Sequence, residues 1–185
     1  MEEKEGELTV APGLLAQIDL EGRVVTGDAL YAQRELSRQV VEQGGDYFWV
    51  VKDNQPTLKA DIALLFEDPP WGEELATWVE YGKHGGRVEI RQLWASTALN
   101  DYLDWPYVGQ VCCVERAVTW KGVTRQETSY AITSLSPKKA NARRSLGIWR
   151  GHWSIEDRLH YVKDVTMKED ASQVRTGSAS VQTLG

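Results

Sequence analysis

Apolar positions change period along this chain, and the changes outline its elements. Arg23-Val-Val-Thr-Gly27 is a short β-branched run bounded by glycine, and Asp46-Tyr-Phe-Trp-Val-Val51 is a second, almost wholly apolar run. Both patterns predict buried strands. Between them, Tyr31 to Gln43 sets Ala32, Leu36 and Val40 at helical spacing, with Val41 beside them. Gly44-Gly45 predicts the cap that closes this helix. Strand, helix and strand joined by tight turns predict a βαβ unit, hence parallel pairing and an α/β core. The first twenty residues are acidic and then weakly helical through Leu14, Leu15, Ile18 and Leu20. Lys52 to Pro56 reads as a loop at the C-terminal end of the second strand. Thr57 to Phe66 reads as a helix through Leu58, Ile62 and Leu65, ended by Glu67-Asp-Pro-Pro-Trp71.

From about Ala76 to Leu135 the period shortens to two. Trp78–Tyr81, Arg87–Leu93, Val108–Val118 and Thr124–Ile132 alternate apolar and polar residues, which predicts antiparallel strands. They form an insertion in the sheet or an extension of it. Lys83–Gly86 and Trp120–Gly122 are the expected turns. Ser136-Pro137 predicts a helix start with Ser at N-cap and Pro at N1. Gly147 and Gly151 predict a weakness before the last helical segment. The expected organisation is a core over 1–75, a β-rich segment over 76–135, a C-terminal helix region over 136–170, and a flexible Ser/Thr/Gly-rich tail over 171–185.

Composition narrows the class. With 185 residues, 42% of them hydrophobic, and eight Trp, the chain can bury a sizeable core. No apolar run approaches the ~20 residues of a membrane span, and Met-Glu-Glu-Lys-Glu is no signal peptide, so the expectation is cytoplasmic with no membrane partner. Cys112 and Cys113 are adjacent with no zinc set nearby, which predicts buried strand residues. The net charge of −6 argues against a nucleic-acid binder. Its distribution is uneven, however. Residues 1–30 carry two bases and seven acids, whereas 138–175 carry nine bases and five acids. That basic segment fits a phosphate-facing surface, or a solvated helix face bearing Lys138, Lys139, Arg143 and Arg144.

Within the basic segment, Ile148 to Lys163 carries a mixed stripe. With Glu156 at zero and ~100° per residue, Trp149, His152, His160 and Lys163 fall within ~40° of it. Ile148, Ile155, Leu159 and Val162 form an apolar stripe about a quarter-turn away. The helix can dock by one stripe and present a carboxylate between aromatic, imidazole and ammonium groups. It can equally be an ordinary amphipathic helix. Asp28 follows the first strand, where functional groups of open α/β sheets gather, and it is also well placed to cap the next helix. Two such carboxylates can hold Mg²⁺, although a pair of ions normally needs at least three. His152, Glu156 and His160 also have the spacing of a zinc set, without the HExxH arrangement that would strengthen it.

Several blocks resemble the DDE transposases of bacterial insertion sequences, in the subfamily that includes the H-repeat-associated proteins. They are Thr26-Gly-Asp28-Ala-Leu-x-x-Gln33, Gly45-Asp-Tyr, Val51-Lys-x-Asn-Gln55-x-x-Leu58, Lys83-His-Gly-x-Arg87-x-Glu-x-Arg91, Gly151-His-Trp-x-Ile-Glu156-x-x-Leu-His160, Asp164-Val, Lys168-Glu-Asp-Ala-Ser and Arg175-Thr-Gly. The resemblance implies an incomplete ribonuclease-H-like fold with an antiparallel β-rich insertion between the second and third acidic residues. It implies that Asp28 is the second catalytic aspartate and Glu156 the catalytic glutamate, together holding Mg²⁺ (or Mn²⁺). The family signature of Tyr, Arg, Glu and Lys is filled by Trp149, His152, Glu156 and Lys163, so two positions depart from it. Trp149, His152 and Lys163, with Arg158 on the same segment, are the candidate DNA-phosphate contacts. The family's first catalytic Asp has no counterpart in a matching motif here. The expectation is therefore a fragment truncated at both ends that holds metal weakly and cleaves little DNA alone. The alternatives are a non-catalytic DNA-binding or dimerising remnant and an unstable product. DNA is the implied partner, and a homodimer is left open.

Overall fold

β1 (Val24–Gly27) and β2 (Asp46–Val51) pair in parallel, with Val24 opposite Asp46 and Gly27 opposite Trp49. The structure, a computed structural model, describes residues 2–161; for 2–5, 7 and 155–161 it describes the backbone alone. α2 (Arg34–Glu42) connects the two strands, so the βαβ unit read from the sequence is present. Its end is the predicted glycine cap. Gly44 has φ +83°, its N–H donates to Val41 O (2.9 Å), and Gly45 N–H donates to Val40 O (3.0 Å). These two bonds satisfy carbonyls that the last helical turn leaves open. The start of α2 differs from the expectation. A short 3₁₀ turn, Ala29–Tyr31, comes first, and Gln33 is extended before the helix begins.

The remaining elements among the described residues are α1 (Glu2–Leu15), α3 (Pro56–Glu67), β3 (Ala76–His84), β4 (Arg87–Ser96), β5 (Gln110–Trp120), β6 (Val123–Thr133) and α4 (Ala142–Tyr161). Six strands form one sheet in the order β1-β2-β6-β5-β4-β3, and every pairing except β1 with β2 is antiparallel. β6 pairs with β2, so the strands of 76–135 continue the parallel pair rather than standing apart. The fold is mixed α/β.

Strand alternation sends successive side chains to opposite faces. Tyr47, Trp49, Val51, Val111 and Ile132 share a buried cluster with Leu36 and Val40 of α2 and Leu58, Ile62 and Leu65 of α3. On the opposite face, register aligns Phe48 with Thr133, Val114 with Ser129, and Leu93 with both Val114 and Trp78. The first half of α4 reaches that face at β3. The Arg143 guanidinium lies 5.3 Å from the centre of the Trp78 ring, and Arg150 donates to Glu80 (2.6 Å). All six residues of β2 are buried, so both of its faces are covered.

Two expectations about α4 are corrected. Ser136-Pro137 opens a turn, in which Lys139 and Ala140 N–H donate to Ser136 O (2.9 Å each). The helix begins at Ala142, capped by Asn141, whose side chain accepts from Arg144 N–H (2.9 Å). Gly147 and Gly151 do not break it. By internal contacts the chain divides into two units, Met1–Arg150 and Gly151–Gly185. The sheet belongs to the first, and the last turns of α4 to the second. The expected tail, 171–185, lies outside the described residues. Among the described residues no helix is long and apolar enough to cross a membrane.

Candidate functional site

The site starts at the carboxyl end of β1. Gly27 lies against the buried Trp49 ring, and a Cβ there would sit 2.8 Å from Trp49 Cζ3 and 2.8 Å from Tyr31 Cβ. Only glycine lets the chain pass so close to the indole and turn at once. Trp49 is itself fixed. Its Nε1 donates to Ser37 Oγ (2.9 Å), and its ring stacks on Tyr47 at 5.7 Å with an interplanar angle of 7°. The Tyr47 hydroxyl donates to Pro106 O (2.8 Å), and burial raises its pKa far above the ordinary phenol value.

Asp28 follows, half-buried, with extended backbone (φ −71°, ψ −176°). One carboxylate oxygen accepts from Leu30 N–H (3.0 Å) and caps the 3₁₀ turn, so the capping role expected of it is real. The other oxygen takes part in no hydrogen bond or ion pair among the described residues, and a hard cation can use it. The turn is clasped from the neighbouring strand end. Asn54 Nδ2 donates to Ala29 O (2.5 Å), and Gln55 Nε2 donates to Ala32 O (3.0 Å). Parallel pairing puts the ends of β1 and β2 side by side, so the loop after β2 can hold the loop after β1. Asn54 and Gln55 are positioning residues that the sequence reading did not assign, although both fall in a quoted block. Asp46 does not join Asp28. It lies at the opposite end of the parallel pair, where its oxygens accept from Ser134 Oγ (2.8 Å) and Lys139 Nζ (2.9 Å).

The other candidates lie on α4 or beyond it. Trp149 is buried in the first unit. In the second, the His152 and Trp153 rings meet edge-on at 5.4 Å. The α4 backbone carries Glu156 and Arg158, but their side chains lie outside the described residues, as do that of His160 and all of Lys163. Among the described residues no three His, Cys, Asp or Glu side chains gather in a way that could hold a metal. What they supply is one hard-oxygen donor, Asp28, suited to Mg²⁺ or Mn²⁺ rather than to a softer metal. Cys112 and Cys113 are buried, free thiols, each pushed up to about 12 chiefly by burial, which removes them as nucleophiles near neutral pH.

Under α4 the sheet carries paired charges. Glu89 bonds Arg91 (2.7 Å) and Arg116, and Arg116 also reaches Glu127 (3.5 Å). The Glu89 bond raises the Arg116 pKa, whereas burial lowers that of Arg91. Glu89 and Arg91 belong to the quoted Lys83–Arg91 block, and here they brace β4 against β5.

Residues 2–185 match the family model described as Transposase DDE domain. Over 188 residues, the chain is 27% identical to the "H repeat-associated putative transposase YhhI" of Escherichia coli (strain K12), covering 97% of this chain and 49% of that protein. The same figures hold for "Putative protein YbfL" of that organism. The "Uncharacterized protein in dhlA 3'region" of Xanthobacter autotrophicus is 34% identical over 139 residues, 71% of this chain and 45% of that protein. The chain thus spans about half the length of the curated relatives it matches.

Proposed function

Because this chain belongs to the transposase DDE-domain family, we propose that it is part of an insertion-sequence transposase that acts on DNA ends. Its sheet is read as part of a ribonuclease-H-like core, which the parallel β1–β2 pair flanked by antiparallel strands supports. The observation that carries the proposal is the built mount of Asp28. Its strand tip is packed by Gly27 on Trp49 and clasped by Asn54 and Gln55, and one carboxylate oxygen is left over.

In this reading Asp28 and Glu156 are two of the acids that hold Mg²⁺ or Mn²⁺. When bound, the metal supplies a nucleophilic water or hydroxyl and stabilises the leaving oxygen of a phosphodiester. The chain's own residues position the substrate. Lys163 and Arg158 draw phosphate by charge, and His152 donates a hydrogen bond, with charge only when protonated. The same chemistry first hydrolyses the bond at the transposon end and then joins the freed 3′-hydroxyl to target DNA. Two carboxylates leave a pair of divalent ions under-liganded, so this chain by itself nicks DNA near background. The test has two parts. Mn²⁺ binding followed by paramagnetic relaxation should weaken in Asp28→Asn and in Glu156→Gln, and unchanged binding in both overturns the metal site. Incubation with transposon-end DNA and Mg²⁺ or Mn²⁺ should give little nicking. Robust nicking abolished by Glu156→Gln overturns the claim of weak activity.

A further inference from the structure

We propose that the paired tips of the β3–β4 and β5–β6 hairpins form a second DNA-phosphate contact, remote from the acidic site. The proposal rests on reading the chain as a DNA-acting transposase, but the surface is argued from its own geometry. β2 ends at Val51, opposite Tyr130, whereas β6 begins at Val123. The hairpins therefore project about 23 Å past the end of β2, at ~3.3 Å per residue. Register places both turns at the same end of this arm: Val88 pairs with Thr119, which sets Arg87 beside Trp120.

Charge is distributed along the arm in a telling way. Near its base and middle, Arg91 and Arg116 are paired with Glu89 and Glu127, and Glu80 with Arg150 of α4. At the tip the acids stop. Residues 83–88 and 117–126 contain Lys83, Arg87, Lys121 and Arg125 and no Asp or Glu. All four cations are exposed, and none is ion-paired among the described residues. In a chain of net charge −6, this is a local +4.

The tip is also pre-shaped. The Arg87 guanidinium lies 5.1 Å, and the Lys121 ammonium 4.6 Å, from the centre of the half-exposed Trp120 ring. The ring holds two cations in place before any ligand arrives, which lowers the ordering cost of binding. Both turns are two-residue loops with positive φ: Gly85 and Gly86 at +55° and +76°, Lys121 and Gly122 at +49° and +77°. Such turns match the strand twist and stay compact. Lys121 occupies a position that favours Gly, Asn or Asp, and the small strain is explained if its ammonium is needed there. Four exposed cations gathered on a narrow, projecting tip fit the phosphates of a DNA duplex.

The test is duplex binding by the whole chain, followed by fluorescence anisotropy in EDTA across a salt series. EDTA removes any divalent cation, so failure of the acidic site does not affect the outcome. Four phosphate contacts at the tip contribute about −3.6 to the slope of log K against log salt. The double substitution R87Q/K121Q should flatten it by about 2 and weaken binding by about tenfold or more at low salt. K83Q/R125Q, which leaves the Trp120 cluster intact, should do the same. R23Q/R38Q removes equal charge elsewhere and should keep the wild-type slope. Wild-type slopes in both tip variants, or no duplex binding by the wild-type chain at low salt, overturn the proposal.

Discussion

Gly27→Ala tests the mount of Asp28 at its tightest point. The new methyl would lie 2.8 Å from both Trp49 Cζ3 and Tyr31 Cβ, and 2.9 Å from Trp49 Cε3. Real carbons stay well beyond that, so something must move. Trp49 cannot do so cheaply. It is 1% exposed, stacked on Tyr47 and hydrogen-bonded to Ser37. Tyr31 belongs to the turn that Asp28 caps. Overpacking of this kind costs about 1–3 kcal/mol. For a chain of this length that lowers the melting temperature by about 2–4 °C per kcal/mol. Gly82→Ala is the matched control, because its Cβ would meet nothing nearer than Glu89 O at 4.0 Å. In an open strand position, alanine should be neutral or up to about 1 kcal/mol stabilising. Thermal melts of the two variants beside wild type make the comparison. If Gly27→Ala melts no lower than Gly82→Ala, the close packing under Asp28 is not what holds the strand tip.

Other outcomes follow from the same contacts. Asp28→Asn keeps an N-cap and should melt near wild type, whereas Asp28→Ala should cost about 1 kcal/mol in urea unfolding. Ser37→Ala strands the buried Trp49 N–H and should cost about 1–3 kcal/mol in the same assay. Neither cysteine should react with a thiol reagent at pH 8 until the chain is unfolded. Their pKa values also give stability a pH dependence. Below about 9 both folded and unfolded states hold the thiol protons. From there to about 12 only the folded state does, so stability should fall across that window. A Cys112→Ala/Cys113→Ala variant should lose part of that alkaline slope.

The elements carried by local pattern were legible in the sequence. The apolar run of β2 predicts its burial on both faces, the Leu36–Val40 spacing predicts α2, and Gly44-Gly45 predicts its cap. What depended on distant partners was not legible. Ser136-Pro137 looks like a helix start, but Lys139 is drawn to Asp46, ninety-three residues away, and Asn141 caps the helix instead. Gly147 and Gly151 each cost about 1 kcal/mol relative to Ala, yet burial of Leu146 and Trp149 keeps α4 whole. Asp28 stood out by its place after a strand. Asn54 and Gln55 became positioning residues only once parallel register set the two loops side by side. The tip cations, on separate hairpins, come together only through the pairing of β4 with β5.

Under the proposed function, Asp28 and Glu156 ligate the same divalent cation. Iron substituted for magnesium, with ascorbate and peroxide, cuts the polypeptide beside its own binding site, and the fragments can be mapped by mass spectrometry. Cuts near Asp28 and near Glu156 are expected in the same sample, with both sets lost in Asp28→Asn and in Glu156→Gln. Cuts beside one acid only, or a pattern that neither substitution changes, would contradict it.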